Sequence, residues 1–80
     1  MEKVLGKIDK SDSGCIEVAF KETGGKTFLD LRKMYKKKDM DEYAPTRKGI
    51  FIPVAKLRSV HRAIGKAIKV AEKAGLIEKE

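Results

Sequence analysis

Aromatic and basic side chains alternate along two short segments in the middle of the chain, residues 26–35 and 45–53. If both segments are β-strands, successive side chains point to opposite faces, so Phe28 falls beside Arg32 and Phe51 beside Arg47. Aromatic rings stack on bases at about 1–3 kcal/mol each, and cations neutralise phosphates. This combination predicts binding of a single-stranded nucleic acid with little regard to its base sequence.

Two interpretations of the phenylalanine rings remain open from the pattern alone. Phe28 and Phe51 either stack on bases or cover a second apolar surface, such as a dimer interface. Tyr35 is predicted just beyond the end of the first strand, where the packing interpretation is weaker. All three rings are therefore candidate nucleic-acid-binding residues.

The sequence offers little for catalysis. One histidine, His61, one cysteine, Cys15, and scattered carboxylates supply no nucleophile and base pair. Gly25-Lys26-Thr27 imitates the end of a phosphate-binding loop, but Phe20 stands where that motif needs a glycine. The acidic residues at 39–42 lack the spacing of oxygen ligands and the glycine of a calcium loop. We expect no enzymatic activity, no metal site and no cofactor.

The charge of the chain is distributed unevenly. The net charge is +7, and the excess of basic side chains begins at Lys26, where the first ring-bearing segment starts. A basic balance favours a polyanionic partner, either nucleic acid or an anionic membrane surface. With no run of about 18 apolar residues and no hydrophobic signal segment, we expect neither membrane insertion nor secretion. The lone Cys15 suits a reducing compartment, so we expect an intracellular protein of the cytoplasm or nucleoid, or of the nucleus in a eukaryote.

The apolar periodicity predicts the elements that carry these residues. Alternation predicts strands at residues 15–20, 26–32 and 45–52 and a weaker one at 4–8, with Phe20 in the core and a hairpin closed by Gly24-Gly25. Residues 33–44 have no clear period and are predicted to be an exposed connection. From Pro53 to Gly75, apolar residues recur at three- and four-residue steps, which predicts a long amphipathic helix.

The short length of this chain limits how much apolar surface it can bury. Eighty residues make a single domain, residues 1–80, and a chain this short buries only about 60–65% of its unfolded surface. Association with a second copy would bury additional apolar surface. We expect a dimer interface along the apolar stripe of the helix, at Leu57, Val60, Ile64 and Ile68.

The sequence also resembles a known family. The pattern G-K-T-F-L-D-L-R-K-M-Y, a connection, P-T-R-K-G-I-F-I-P and then one amphipathic helix is similar to the positive-cofactor-four family of transcriptional coactivators. Its most specific pieces are Asp30-Leu31-Arg32 and Arg47-Lys48-Gly49-Ile50. The resemblance implies an α+β fold, with a curved four-stranded antiparallel sheet followed by one long C-terminal amphipathic helix. It further implies a homodimer and single-stranded DNA lying in basic grooves on the sheets.

The resemblance also implies which residues contact DNA. Family DNA-binding positions fall on Lys7, Lys26, Arg32, Tyr35, Arg47 and Lys48, and the family often has tryptophan in place of Tyr35. The chain departs from the family at three places. Ala44 replaces a lysine, Asp9 replaces a basic residue, and the hairpin at Gly24-Gly25 lacks the family's phenylalanine. These losses bear on affinity more than on the fold.

We therefore expect a homodimer that binds single-stranded DNA independently of sequence. Its role would be transcriptional coactivation or regulation, or the handling of melted DNA, with the transcription machinery as a further partner. The alternatives are a basic adaptor that docks an acidic protein and a single-stranded RNA-binding module, because nothing in the sequence visibly reads a 2′-hydroxyl group.

Overall fold

The computed structural model describes residues 1–38 and 42–79 and shows one antiparallel sheet followed by one α-helix. The strands lie in the sheet in chain order: β1 (Lys3–Ile8), β2 (Gly14–Thr23), β3 (Lys26–Lys36) and β4 (Tyr43–Pro53). A 3₁₀ turn at Val54–Lys56 leads into helix α1 (Leu57–Lys73). The predicted α+β fold, a four-stranded antiparallel sheet with a C-terminal amphipathic helix, is confirmed.

The hairpin between β2 and β3 sets the register at the centre of the sheet. Thr23 pairs with Lys26, and the two residues between them, Gly24 and Gly25, have φ angles of 58° and 75°. Positive φ at both positions gives a two-residue turn whose twist matches the flanking strands, and glycine adopts it without a steric penalty. The hairpin predicted from Gly24-Gly25 is confirmed.

The two faces of the sheet differ in character. Directly paired residues of antiparallel strands share a face, and Leu29 lies between Phe20 and Ile52. This side is here termed the apolar face: Ile16, Val18, Phe20, Leu29, Leu31, Ile50 and Ile52. On the other side Arg32 pairs with Glu17. That surface is termed the polar face: Glu17, Ala19, Phe28, Asp30, Arg32, Gly49 and Phe51.

Two bulges interrupt the alternation. In β1, Leu5 is an extra residue opposite β2, so the residues after it change face and Lys7 pairs with Glu17 on the polar face. In β4, residues 46–48 lie opposite the single residue Lys33 of β3. Extra residues bend a strand and redirect its side chains. Strict alternation along the sequence therefore does not predict which face the side chains at a bulge point to.

The predicted exposed connection is shorter than expected. β3 continues through Tyr35 and β4 begins at Tyr43, so both ends of the stretch 33–44 are strand. Hydrogen bonding to the neighbouring strands outweighs the weak periodicity of these residues. The middle of the predicted connection, residues 39–41, lies outside the described residues.

The helix begins later than predicted. Pro53 is extended, with φ −57° and ψ 138°, and pairs with Phe28 as the last residue of β4. No side chain caps the helix, and the first turn tightens into the 3₁₀ turn at Val54–Lys56. After Lys73 the N–H of Gly75 bonds back to the last turn, as the predicted stop requires. No helix in the described ranges has the length and apolar character needed to cross a membrane.

Few side chains are buried within the single chain. The buried ones belong to Cys15, Ala19, Asp30, Met34, Ala44 and Ile52. Phe20 is only half-buried, contrary to its predicted core position, and no side chain of α1 is fully buried. The chain exposes 6739 Å², whereas a compact monomer of 9.0 kDa exposes about 4,900 Å². The apolar face and the apolar stripe of α1 therefore lack full cover inside this chain.

Candidate nucleic-acid interface

Three planar groups form a row on the polar face. The rings of Phe28 and Phe51 stack with their centroids 5.9 Å apart and their planes inclined by 23°. The guanidinium carbon of Arg32 lies 5.5 Å from the centroid of the Phe51 ring, within the range of a cation–π contact. Phe51 pairs with Asp30, which lies between Phe28 and Arg32 along β3. The Phe51 ring is thus flanked by the other two groups, and the three are here termed the stacked row.

Arg32 is held in place by its neighbours. Its Nη2 and Nε donate to the two Asp30 carboxylate oxygens at 2.9 and 3.3 Å, and its Nη1 donates to the carbonyl of Thr46 at 3.3 Å. Asp30 is only 5% exposed, and this bidentate pair compensates its charge. Gly49 leaves the space that the guanidinium fills, since a Cβ there would lie 2.6 Å from Cζ of Arg32. Arg32 is therefore a fixed planar group as well as a cation.

The bulge in β4 presents two further cations. Thr46 anchors it, because its hydroxyl donates to the carbonyl of Lys33 at 2.7 Å and accepts the N–H of Lys48 at 3.1 Å. The side chains of Arg47 and Lys48 are exposed, and neither pairs with a carboxylate in the part of the chain that the structure describes. Both can reach a phosphate without breaking an existing contact.

The two remaining basic candidates differ in their surroundings. Lys7 lies in the same cross-strand row as Arg32, and its ammonium nitrogen is 3.6 Å from the Glu17 carboxylate between them. Lys26 is exposed at the hairpin end of β3, on the same face as Phe28, and makes no ion pair with a described residue. Lys26 is therefore more available to a phosphate than Lys7 is.

Tyr35 does not join the stacked row. It lies within β3, not beyond the strand as predicted, and its position three residues after Arg32 puts it on the opposite face by alternation. Its cross-strand partners are Gly14 and Ala44, which have the smallest side chains, and Tyr35 is 47% exposed. No described ring or cation stacks on it. Tyr35 is thus an open ring two residues along β3 from Lys33, the residue opposite the bulge.

Some of the residues that stabilise this surface have a signal in the sequence, and others do not. Asp30 and Arg32 are two positions apart, a spacing that places strand side chains side by side, so this pair has a sequence signal. Nothing in the sequence marks Thr46 as the anchor of the bulge. Gly49 belongs to a recognised motif, but its role beneath Arg32 depends on the register of β4 against β3.

One carboxyl group outside this surface has a shifted pKa. The Met1 ammonium group donates a hydrogen bond to Glu22, and the bond and its charge together lower the pKa of the Glu22 carboxyl. Glu22 pairs with Thr27, so it faces away from Phe28. Among the residues that the structure describes, no three His, Cys, Asp or Glu side chains could hold a metal ion together.

Fold and surface define a class: a small antiparallel meander with one C-terminal helix and a sheet that carries rings and cations. The chain belongs to the family described as Transcriptional Coactivator p15 (PC4), whose model matches residues 10–63. The resemblance found in the sequence is therefore confirmed. No curated protein matches the chain significantly.

Two crystal structures of a PC4 homolog from Burkholderia pseudomallei K96243, BPSL1147, have a similar fold. The orthorhombic form matches with a TM-score of 0.75 and 26% identity, over 82% of this chain and 88% of that one. The tetragonal form matches with a TM-score of 0.72 and 25% identity, over 84% and 97% of the two chains. The similarity extends over most of both proteins.

Replacing Gly49 by alanine tests the close contact beneath Arg32. The new Cβ would meet Cζ of Arg32 at 2.6 Å and the backbone oxygen of Leu31 at 2.8 Å, so side-chain movement alone does not relieve it. We expect a loss of about 1–3 kcal/mol in stability and a Tm several degrees lower. Gly65→Ala is the control, because its Cβ meets no atom within 4 Å and alanine favours a helix. An unchanged Tm for Gly49→Ala would contradict the contact.

Proposed function

We propose that this protein binds single-stranded DNA as a homodimer, with little preference for base sequence. It acts in transcription as a coactivator or regulator, with the transcription machinery as partner, or in the handling of melted DNA. The observation that carries the proposal is the pair of free cations, Arg47 and Lys48, in the β4 bulge opposite Lys33, which is two residues along β3 from the open ring of Tyr35. Membership of a coactivator family supports it. The proposal assigns no catalytic role to any residue.

The preference for single strands rests on rings, because charge alone favours the more densely charged duplex. A ring stacks on a base only where that base is unpaired. Tyr35 and Phe51 are each 47% exposed, but no described ring or cation stacks on Tyr35, whereas Phe51 is flanked by Phe28 and Arg32. We assign base stacking first to Tyr35 and give the stacked row a supporting role, with contact between Phe28 or Phe51 and a base still a prediction. Phosphates and base planes are also present in single-stranded RNA, so RNA belongs in the first titration.

The phosphate contacts are assigned according to charge compensation. Arg47, Lys48 and Lys26 have no carboxylate partner among the described residues, and we propose them as the main phosphate ligands. Lys7 and Arg32 each lie beside a carboxylate, which a phosphate would have to outcompete. Their contribution to affinity is therefore expected to be smaller.

Uncovered apolar surface supports the homodimer. The exposed area exceeds that of a compact monomer by about 1,800 Å², more than the roughly 800 Å² that each partner buries in a standard interface. Ile50 on the apolar face is 58% exposed, and Ile64 on α1 is 51% exposed. A second copy offers matching apolar surfaces through a two-fold axis. We place the stripe of α1 in that interface: Leu57, Val60, Ile64 and Ile68.

Arg47→Ala tests the phosphate contacts. If the guanidinium contacts one phosphate, its removal makes the salt dependence of oligo(dT) binding less steep by about 0.7 in log–log slope. Fluorescence anisotropy titrations at several salt concentrations measure this slope. Lys10→Ala removes an exposed cation from the turn before β2 and should leave the slope unchanged. An unchanged slope for Arg47→Ala would assign Arg47 to the fold instead.

Tyr35→Ala tests the stacking role. We expect a loss of about 1–3 kcal/mol in oligo(dT) binding, with little change in duplex binding, while Tyr35→Trp binds at least as well as the parent. Phe51→Ala is the matched ring variant, and it should lower Tm more and oligo(dT) affinity less, because it removes support from Phe28 and Arg32. Parallel losses of single-strand affinity, duplex affinity and Tm in Tyr35→Ala would show a packing role.

A double change on the stripe of α1 tests assembly. The parent should scatter light as a dimer of about 18 kDa, twice the 9.0 kDa of one chain. Ile64→Asp with Ile68→Asp should dissociate or unfold it, because carboxylates resist burial in an apolar interface. Val70→Asp, at a residue that is 66% exposed on another side of α1, should leave the dimer intact. A folded parent monomer at micromolar concentration would contradict the proposal.

A further inference from the structure

The helix carries a second charged surface that the proposed function leaves unused. Five basic residues of α1 recur at steps of three or four positions: Arg58, Arg62, Lys66, Lys69 and Lys73. With 3.6 residues per turn and a rise of 1.5 Å per residue, they fall within an arc of about 80° and extend over about 22 Å. These five residues are here termed the basic ladder.

The basic ladder has little compensating charge. All five side chains are exposed, and none pairs with a carboxylate within residues 1–38 and 42–79. Glu72 is the single acidic residue of α1. Like charges three or four positions apart destabilise a helix, whereas alternating charges stabilise it. An exposed helix face that serves only solubility is more stable when it carries charges of both signs. A row of five cations therefore indicates a polyanionic ligand.

The basic ladder and the apolar stripe lie on opposite sides of α1. On a helix of 3.6 residues per turn, the centre of the ladder is roughly 150° from the centre of the stripe that runs from Leu57 to Ile68. A second chain on the stripe would leave the ladder facing solvent. The body of α1 also makes few contacts with the sheet, so the ladder is separate from the surface around Arg47 and Tyr35.

We propose that the basic ladder binds the phosphate backbone of double-stranded nucleic acid, which gives the protein a duplex-binding surface in addition to the proposed single-strand surface. A duplex carries one negative charge per roughly 1.7 Å of its axis, so a ladder of about 22 Å spans a length that carries about 13 phosphates, and those on the near side face it. A straight row of cations on a rigid helix suits a stiff duplex better than a flexible single strand. α1 contains no Phe, Tyr or Trp, so this surface offers charge without base stacking.

Charge removal within the ladder tests the proposal. Lys66→Gln with Lys69→Gln removes two cations, and glutamine preserves helix propensity, which circular dichroism checks. For a short labelled duplex, the log–log salt slope should become less steep by about 1.8, and affinity near 0.1 M salt should fall at least tenfold. Binding of oligo(dT) should be unchanged. Lys66→Arg with Lys69→Arg keeps the charges and should retain duplex binding.

A matched variant separates the ladder from the net charge of the protein. Lys3→Gln with Lys10→Gln removes the same charge from β1 and the turn that follows it, and should leave the duplex slope unchanged. Equal losses in the two double glutamine variants would overturn the proposal, and so would a parent protein that does not bind duplex. Duplex binding that depends on the ladder, in a protein that does not bind oligo(dT), would support the ladder and overturn the single-strand function instead.

Discussion

The ion pair between Asp30 and Arg32 organises the polar face of this sheet. A carboxylate that is only 5% exposed needs a charged partner, and the guanidinium provides two hydrogen bonds to it. Removing one member of a fully buried pair costs about 3–5 kcal/mol, and the cost is lower here because the Arg32 side chain keeps 20% of its exposure. The pair in turn places the guanidinium against the ring of Phe51.

The two sequence motifs of the family form one structural unit around this pair. Asp30-Leu31-Arg32 supplies the carboxylate and the guanidinium, and the segment 46–49 contacts the guanidinium. Thr46 accepts a hydrogen bond from Arg32 through its carbonyl, and Gly49 leaves room for the guanidinium. The same segment bulges out and exposes Arg47 and Lys48. Packing of the arginine and presentation of two free cations are thus coupled through the register of β3 and β4.

The small size of the chain determines its surfaces as strongly as this ion pair does. One sheet and one helix that make few mutual contacts leave two apolar surfaces, and a proposed second copy would cover them. The charged surfaces face other directions, with the polar face and the bulge on the sheet and the basic ladder on the outward side of α1. A homodimer of this kind would therefore keep the cations of the bulge and of the basic ladder available for nucleic acid.

Local pattern in the sequence determined several features of this protein: the Gly24-Gly25 hairpin, the separation of leucines from Arg32 in β3 and the end of the helix at Gly75. The same patterns also identified its family. These features depend on turn chemistry and on periods of two or 3.6 residues, which neighbouring residues alone specify. Only the tertiary structure decided that Tyr35 lies within β3 on the face opposite Arg32, that Lys7 lies beside Glu17, and that residues 46–48 bulge. Each of these depends on which residues of two neighbouring strands pair with each other. One extra residue in a strand moves the side chains that follow it to the opposite face of the sheet.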